Sequence, residues 1–176
     1  MIMRAGQQLL LPANPVFIWA TLFGAWALSM LPGFAGAGAW PWLPDVLAIV
    51  LVFWGVHQPR RVGMAAAFLF GLAMDVHQGA LLGQHALAYT VLSFLAIAIH
   101  RRLLWFGLVE QSLHVAPLFF GAHAIEVGVR LAAGDLWPGW SVLLAPVFES
   151  LLWPLASTLL LLPQRRTPEP ETPRAR

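Results

Sequence analysis

Long apolar runs separated by short polar breaks cover most of the chain. A bilayer crossing takes roughly 20 apolar residues, fewer for short or buried helices, and on that scale the pattern predicts six helices. They fall at about 15–31, 44–56, 61–76, 82–99, 103–132 and 141–162. The second and third are short for a full crossing. The fifth is long and carries Pro117, which predicts a kink. The stretch 31–42, LPGFAGAGAWPW, reads as an interfacial loop anchored by Trp40 and Trp42. Residues 1–14 form a short N-terminal segment and 15–162 a transmembrane domain. The Pro-rich, charged residues 163–176 form a disordered tail.

Composition supports a membrane reading. Of 176 residues, 59% are hydrophobic and 10% charged, whereas a soluble domain carries about 25% charged residues. The mean hydropathy is +0.73. Such a chain cannot clothe a water-facing surface, so it is read as an all-α integral membrane protein. All basic residues apart from His are Arg, ten against eight acids. They are not gathered as a nucleic-acid surface requires, so nucleic acid is not an expected partner. Arg60/Arg61, Arg101/Arg102 and Arg165/Arg166 sit at alternate helix boundaries. Asp45, Asp75 and Asp135 sit at the others, with Arg130 as the exception. By the positive-inside rule this predicts cytoplasmic N- and C-termini. The Arg pairs read as topology determinants and anionic-lipid contacts rather than protein-docking sites. A competing reading takes Arg4, the first apolar run and Ala35-Gly36-Ala37 as a cleaved signal peptide, although the run is long and the basic region thin. The absence of Cys excludes disulfides and thiolate metal sites. The Lys-free, Ala/Gly/Pro/Trp-rich make-up suggests a bacterial source.

The stretch 60–87 stands out. Gly63, Ala67, Gly71 and Asp75 recur every fourth residue, which puts three small side chains and a carboxylate on one helical stripe. Gly79 and Gly83 follow across a polar turn. Small-xxx-small stripes bring helix backbones close together. The six positions are therefore expected to pack helices within the chain or, less readily, to form a partner interface. Asp75 is expected to cap the turn or to pair with Arg130.

Polar groups at membrane depth need a reason. Glu110 and His114 lie near the inner end of the fifth helix. His123, Glu126 and Arg130 share one face of it. Glu126 lies about 9 Å from its outer end, and Glu149 has a comparable depth on the sixth helix. With Asp75 and His85 they converge on the outer half of the membrane. Two overlapping readings follow. One is an internal network, for example Arg130 with Glu126 or Glu149. The other is a polar cavity or a docking groove for a partner's membrane segment. GxSxG, HExxH and Walker A patterns are absent. His77 and His85 bracket a turn but supply too few ligands for a metal. No catalytic, cofactor or metal residues are expected, and a non-enzyme is favoured.

One family matches these residues. Pro44-Asp45, Trp54, Pro59, Arg61-Val62-Gly63, Gly71, Asp75, Gly79, Leu82-Gly83 and Ala86-Leu87 resemble the signature region of the rod-shape-determining MreD family, and Leu152-Trp153-Pro154 is also similar. The resemblance implies a bacterial inner-membrane protein that acts with MreC in lateral cell-wall synthesis. RodA and its transpeptidase partner would take part, and MreB indirectly. It also implies an architecture similar to the substrate-binding membrane subunits of energy-coupling-factor transporters. It carries over no catalytic residues, and Glu126 and Glu149 lie outside the signature. Three functions remain open: a scaffold or regulator binding membrane partners, a small-molecule (vitamin-type) transport subunit, and a lipid-modifying or flipping protein. A homo-oligomer is also open.

Overall fold

The computed structural model describes residues 14–31 and 42–164. Trp40, Arg4, Ala35 to Ala37, Arg165 and Arg166 lie outside the described residues. Within them the chain is helical, with no strand: α1 Pro15–Met30, α2 Val46–His57, α3 Met64–Gln78, α4 Gln84–Leu103, α5 Leu108–Ala132 and α6 Leu144–Leu161. Short 3-10 turns, Trp140–Leu143 and Leu162–Gln164, flank α6. Three stretches, Gln84–Leu103, Leu108–Ala132 and Trp140–Gln164, are long and apolar enough to cross a membrane. α1 and α2 are apolar but shorter.

Local chemistry sets the helix ends. Pro15 occupies the first turn of α1, and the Asn14 side chain accepts from Val16 N–H at 2.9 Å. Pro is tolerated there because that N–H has no helical partner. α3 stops where Gly79 turns left-handed at φ 60°. There Ala80 N–H reaches back to Asp75 C=O at 3.0 Å and satisfies a terminal carbonyl. The fifth helix starts later than the hydropathy suggested. α4 runs to Leu103, residues 104–107 turn, and α5 begins at Leu108. Gly107 marks this start, and the Glu110 side chain accepts its N–H at 3.3 Å. α5 is one continuous helix through Pro117.

α2 is the core. Every residue from Leu47 to Val56 is buried, on all sides of the helix. A helix apolar all round belongs inside a bundle, which explains how only 12 residues can serve. α1, α4 and α6 pack around α2, and α3 packs on α4 and α1. Trp54, fully buried, donates its indole N–H to Thr21 of α1 at 2.9 Å. Trp153 of α6 donates likewise to Gln111 of α5 at 3.2 Å.

The tightest approach joins α3 and α4. A Cβ on Gly71 would lie 2.4 Å from Ala86 Cα and 2.6 Å from Ala86 N. Ala67 is also fully buried. The packing stripe therefore reduces to Ala67 and Gly71. A Cβ at Gly63, Gly79 or Gly83 would meet nothing within 4 Å. Gly63 starts α3, while Gly79 and Gly83 (φ 102°) supply left-handed backbone to the turn. These three are turn and cap residues rather than packing residues because their side of the backbone faces open space.

Gly71→Leu is expected to destabilise the fold by about 1–3 kcal/mol or more, because backbone cannot yield as a side chain can. Gly63→Ala is the control and should leave the thermal unfolding midpoint in detergent unchanged. Equal midpoints for Gly71→Leu and the parent would refute the close approach.

Candidate functional site

The polar residues gather where α1, α3 and α5 end and α2, α4 and α6 begin, in two adjoining groups. In the first, Asp75 of α3 is fully buried. Its Oδ2 accepts from Gly83 N–H at 2.8 Å, and its Oδ1 accepts from His85 N–H at 2.8 Å. Ala86 N–H stands 3.4 Å from Oδ2, and the His85 Nδ1 lies 2.8 Å from Oδ1. Gly83 is the N-cap of α4 and has no side chain to cap with. The opening N–H groups of a helix have no partner of their own, and their partial positive charge favours an anion. Asp75 thus caps the neighbouring helix from α3, and the Gly71–Ala86 approach brings it within reach. Pairing of Asp75 with Arg130 does not occur, because α4 and His85 occupy both carboxylate oxygens.

The second group centres on Asp45 and Glu149. Asp45 is the N-cap of α2 and accepts from Leu47 N–H at 2.9 Å. It also accepts from the Ser29 hydroxyl of α1 at 2.9 Å and from the Tyr89 hydroxyl of α4. Asp45 N–H donates to Glu149 Oε1 of α6 at 2.9 Å. The same Oε1 lies 2.9 Å from His123 Nε2 of α5. The other His123 nitrogen faces Glu126 at 3.6 Å. The Glu149 contact is within hydrogen-bond reach, and the Glu126 contact is longer. Glu149 is fully buried, and its Oε2 has no partner. His85 and Tyr89, whose rings meet edge-on at 5.8 Å, bring the two groups together on α4.

Arg130 stays outside this network. The ion pairs among the described residues all involve His: His85 with Asp75, and His123 with Glu126 and Glu149. Pairing of Arg130 with Glu126 or Glu149 is therefore replaced by His123, which is a turn or more closer to the cluster. Ser29 and Tyr89 were missed from sequence because a lone hydroxyl in an apolar helix carries no pattern. Asp45 enters the sequence reading as a boundary acid and in the Pro44-Asp45 signature; its place before an apolar run is also an N-cap signal. Pro59 and Arg61 lie in the α2–α3 turn, where Arg61 N–H donates to Gln58 C=O at 2.9 Å. Arg60, Arg61, Arg101 and Arg102 are exposed, at the opposite end of the bundle from the carboxylates. No group of three or more His, Asp or Glu suited to a metal occurs among the described residues.

The fold and site define a helical membrane protein whose buried carboxylates Asp75 and Glu149 are held by donors of the chain itself. Residues 13–162 match the family model described as rod shape-determining protein MreD. The chain belongs to that family of cell-shape proteins. It is 28% identical over 121 residues to the rod shape-determining protein MreD of Haemophilus influenzae, covering 66% of this chain and 72% of that relative. No solved structure matches.

Asp75→Leu strands the Gly83 and His85 donors, at about 1–3 kcal/mol for each unmet buried group. We expect a clearly lower unfolding midpoint and faster amide exchange at residues 83–86, with Asp75→Asn intermediate. Unaltered exchange in Asp75→Leu would show that another group caps α4. Glu149→Leu should likewise loosen the start of α2, read as faster exchange at Asp45 and Leu47, while Glu149→Gln retains an acceptor and changes less.

Proposed function

We propose that the chain is a non-enzymatic, multi-pass component of the bacterial inner membrane that binds an MreC-like protein and helps maintain rod shape during lateral peptidoglycan synthesis. Membership of the MreD family over residues 13–162 carries this reading. In it, residues 15–162 form a six-span domain with both termini cytoplasmic, and residues 1–14 and 163–176 lie on that side. An arrangement similar to energy-coupling-factor transporter subunits belongs to the same proposal. RodA, its transpeptidase partner and, indirectly, MreB would act in the same assembly. Contact with the partner would run through exposed helix faces, since turns such as 79–83 and 104–107 leave little room for a soluble recognition module.

The burial of the polar cluster supports a scaffold over a transport subunit. A ligand cavity needs polar groups turned towards it, whereas Asp75 and Glu149 are fully buried and bonded mainly to the chain itself.

Gentle-detergent purification from a rod-shaped bacterium tests the proposal. A stoichiometric MreC-like partner, with no small molecule bound, is the expected result. Chain that purifies alone from cells containing that partner, or with a vitamin-like ligand, would overturn it. The paired substitution Glu126→Gln and Glu149→Gln should leave cells rod-shaped; spherical cells with a stably folded variant would instead point to an essential polar site.

A further inference from the structure

An apolar groove of about 230 Å³ runs between α1 and α3, outside the polar cluster. Trp19, Phe23 and Trp26 form one wall, and Ala66, Leu69, Phe70 and Ala73 the other. The helices run in the same direction here. Phe23 meets Phe70 edge-on at 5.4 Å, and His77 near the end of α3 reaches Met30 C=O at the end of α1 at 3.2 Å. The groove therefore extends for about two turns along both helices. Its mouth is open: Trp19, Phe23 and Leu69 are all exposed. In the turn that leads into α3, five and six residues before Ala66, lie the exposed Arg61 and Arg60. Neither takes part in the ion pairs among the described residues.

We propose that this groove seats one acyl chain of an anionic glycerophospholipid whose phosphate rests on Arg60 and Arg61. The only side-chain polar groups in the walls are the Trp19 and Trp26 indole N–H groups, too few to orient a vitamin-like ligand, and the volume falls below the ~300–1,000 Å³ of such pockets. A helix, about 10 Å across, is too wide to enter a slot of this volume. An extended hydrocarbon chain suits both the apolar lining and the small volume. Arg favours phosphate because its planar fork gives paired, charge-assisted hydrogen bonds. The Arg pair and the groove thus match the two ends of one lipid. The proposal does not depend on the partner proposed above.

Native mass spectrometry of the full chain in detergent, titrated with phosphatidylglycerol or phosphatidylcholine, tests it. The first phosphatidylglycerol adduct should form about thirtyfold more tightly, the scale that two Arg near an anionic headgroup supply. Arg60→Gln with Arg61→Gln should abolish that preference. Both residues are exposed, so folding is preserved. Ala73→Phe, which fills the groove, should weaken the first adduct of both lipids. Arg101→Gln with Arg102→Gln should change neither. Equal binding of the two lipids by the parent chain would overturn the proposal. So would a preference lost equally in both Arg double variants, an unaltered first adduct in folded Ala73→Phe, or a chain dimer that Ala73→Phe dissociates.

Discussion

A helix that begins inside a bundle must find partners for its first N–H groups without water, and this constraint organises the molecule. α2 and α4 both begin this way. Asp45 caps α2 from its own N-cap position, and Glu149 takes the N–H of Asp45 itself. Asp75 caps α4 from the preceding helix. Asp45 and Asp75 each gain several donors and Glu149 gains two on one oxygen, which offsets the cost of burying them. The network fastens α1, α2, α4, α5 and α6 at one end, and His85 joins Asp75 and α3 to the same end.

The close contact of α3 with α4 makes this possible. Only a residue without a side chain allows Ala86 backbone to sit where a Cβ of Gly71 would be. Asp75, one turn further along, then meets the start of α4. Packing and capping are therefore two aspects of one register: a shift between the helices would both create a clash and strand the donors.

Much of this was legible in the sequence. Apolar runs and their Gly, Pro and Arg boundaries located the helices to within a few residues, since periodicity and turn chemistry are local signals. Four-residue spacing singled out Gly71 and Asp75 together. Pairing was not legible. Glu149 could be assigned to Arg130 or left open to a cavity, because sequence separation says nothing about which side chains converge. His123 took that role, with Asp45 arriving 104 positions away in sequence. The bland hydroxyls of Ser29 and Tyr89 became visible only once α1 and α4 were placed beside α2. The Gly63, Gly79 and Gly83 repeat looked like one surface, yet only folding separates glycines needed for closeness from glycines needed for backbone angle. The MreD resemblance rested on the turn-rich stretch 44–87, where backbone geometry restricts residue choice most.

The unequal helix lengths have a consequence for the surrounding lipid. At 1.5 Å per residue, α3 covers about 22 Å and α5 about 37 Å. α2 escapes the question because it is buried, but α3 and α5 both present outer faces: Leu69 and Val76 on one, Val109 and Leu113 on the other. In the six-span arrangement proposed above, a bilayer meeting both faces would thin along α3, or tilt the molecule, at a cost of fractions of a kcal/mol per Å of mismatch. The protein's perimeter would then carry a gradient of membrane thickness, and neighbours with short spans would find their least strained position on the α3 side.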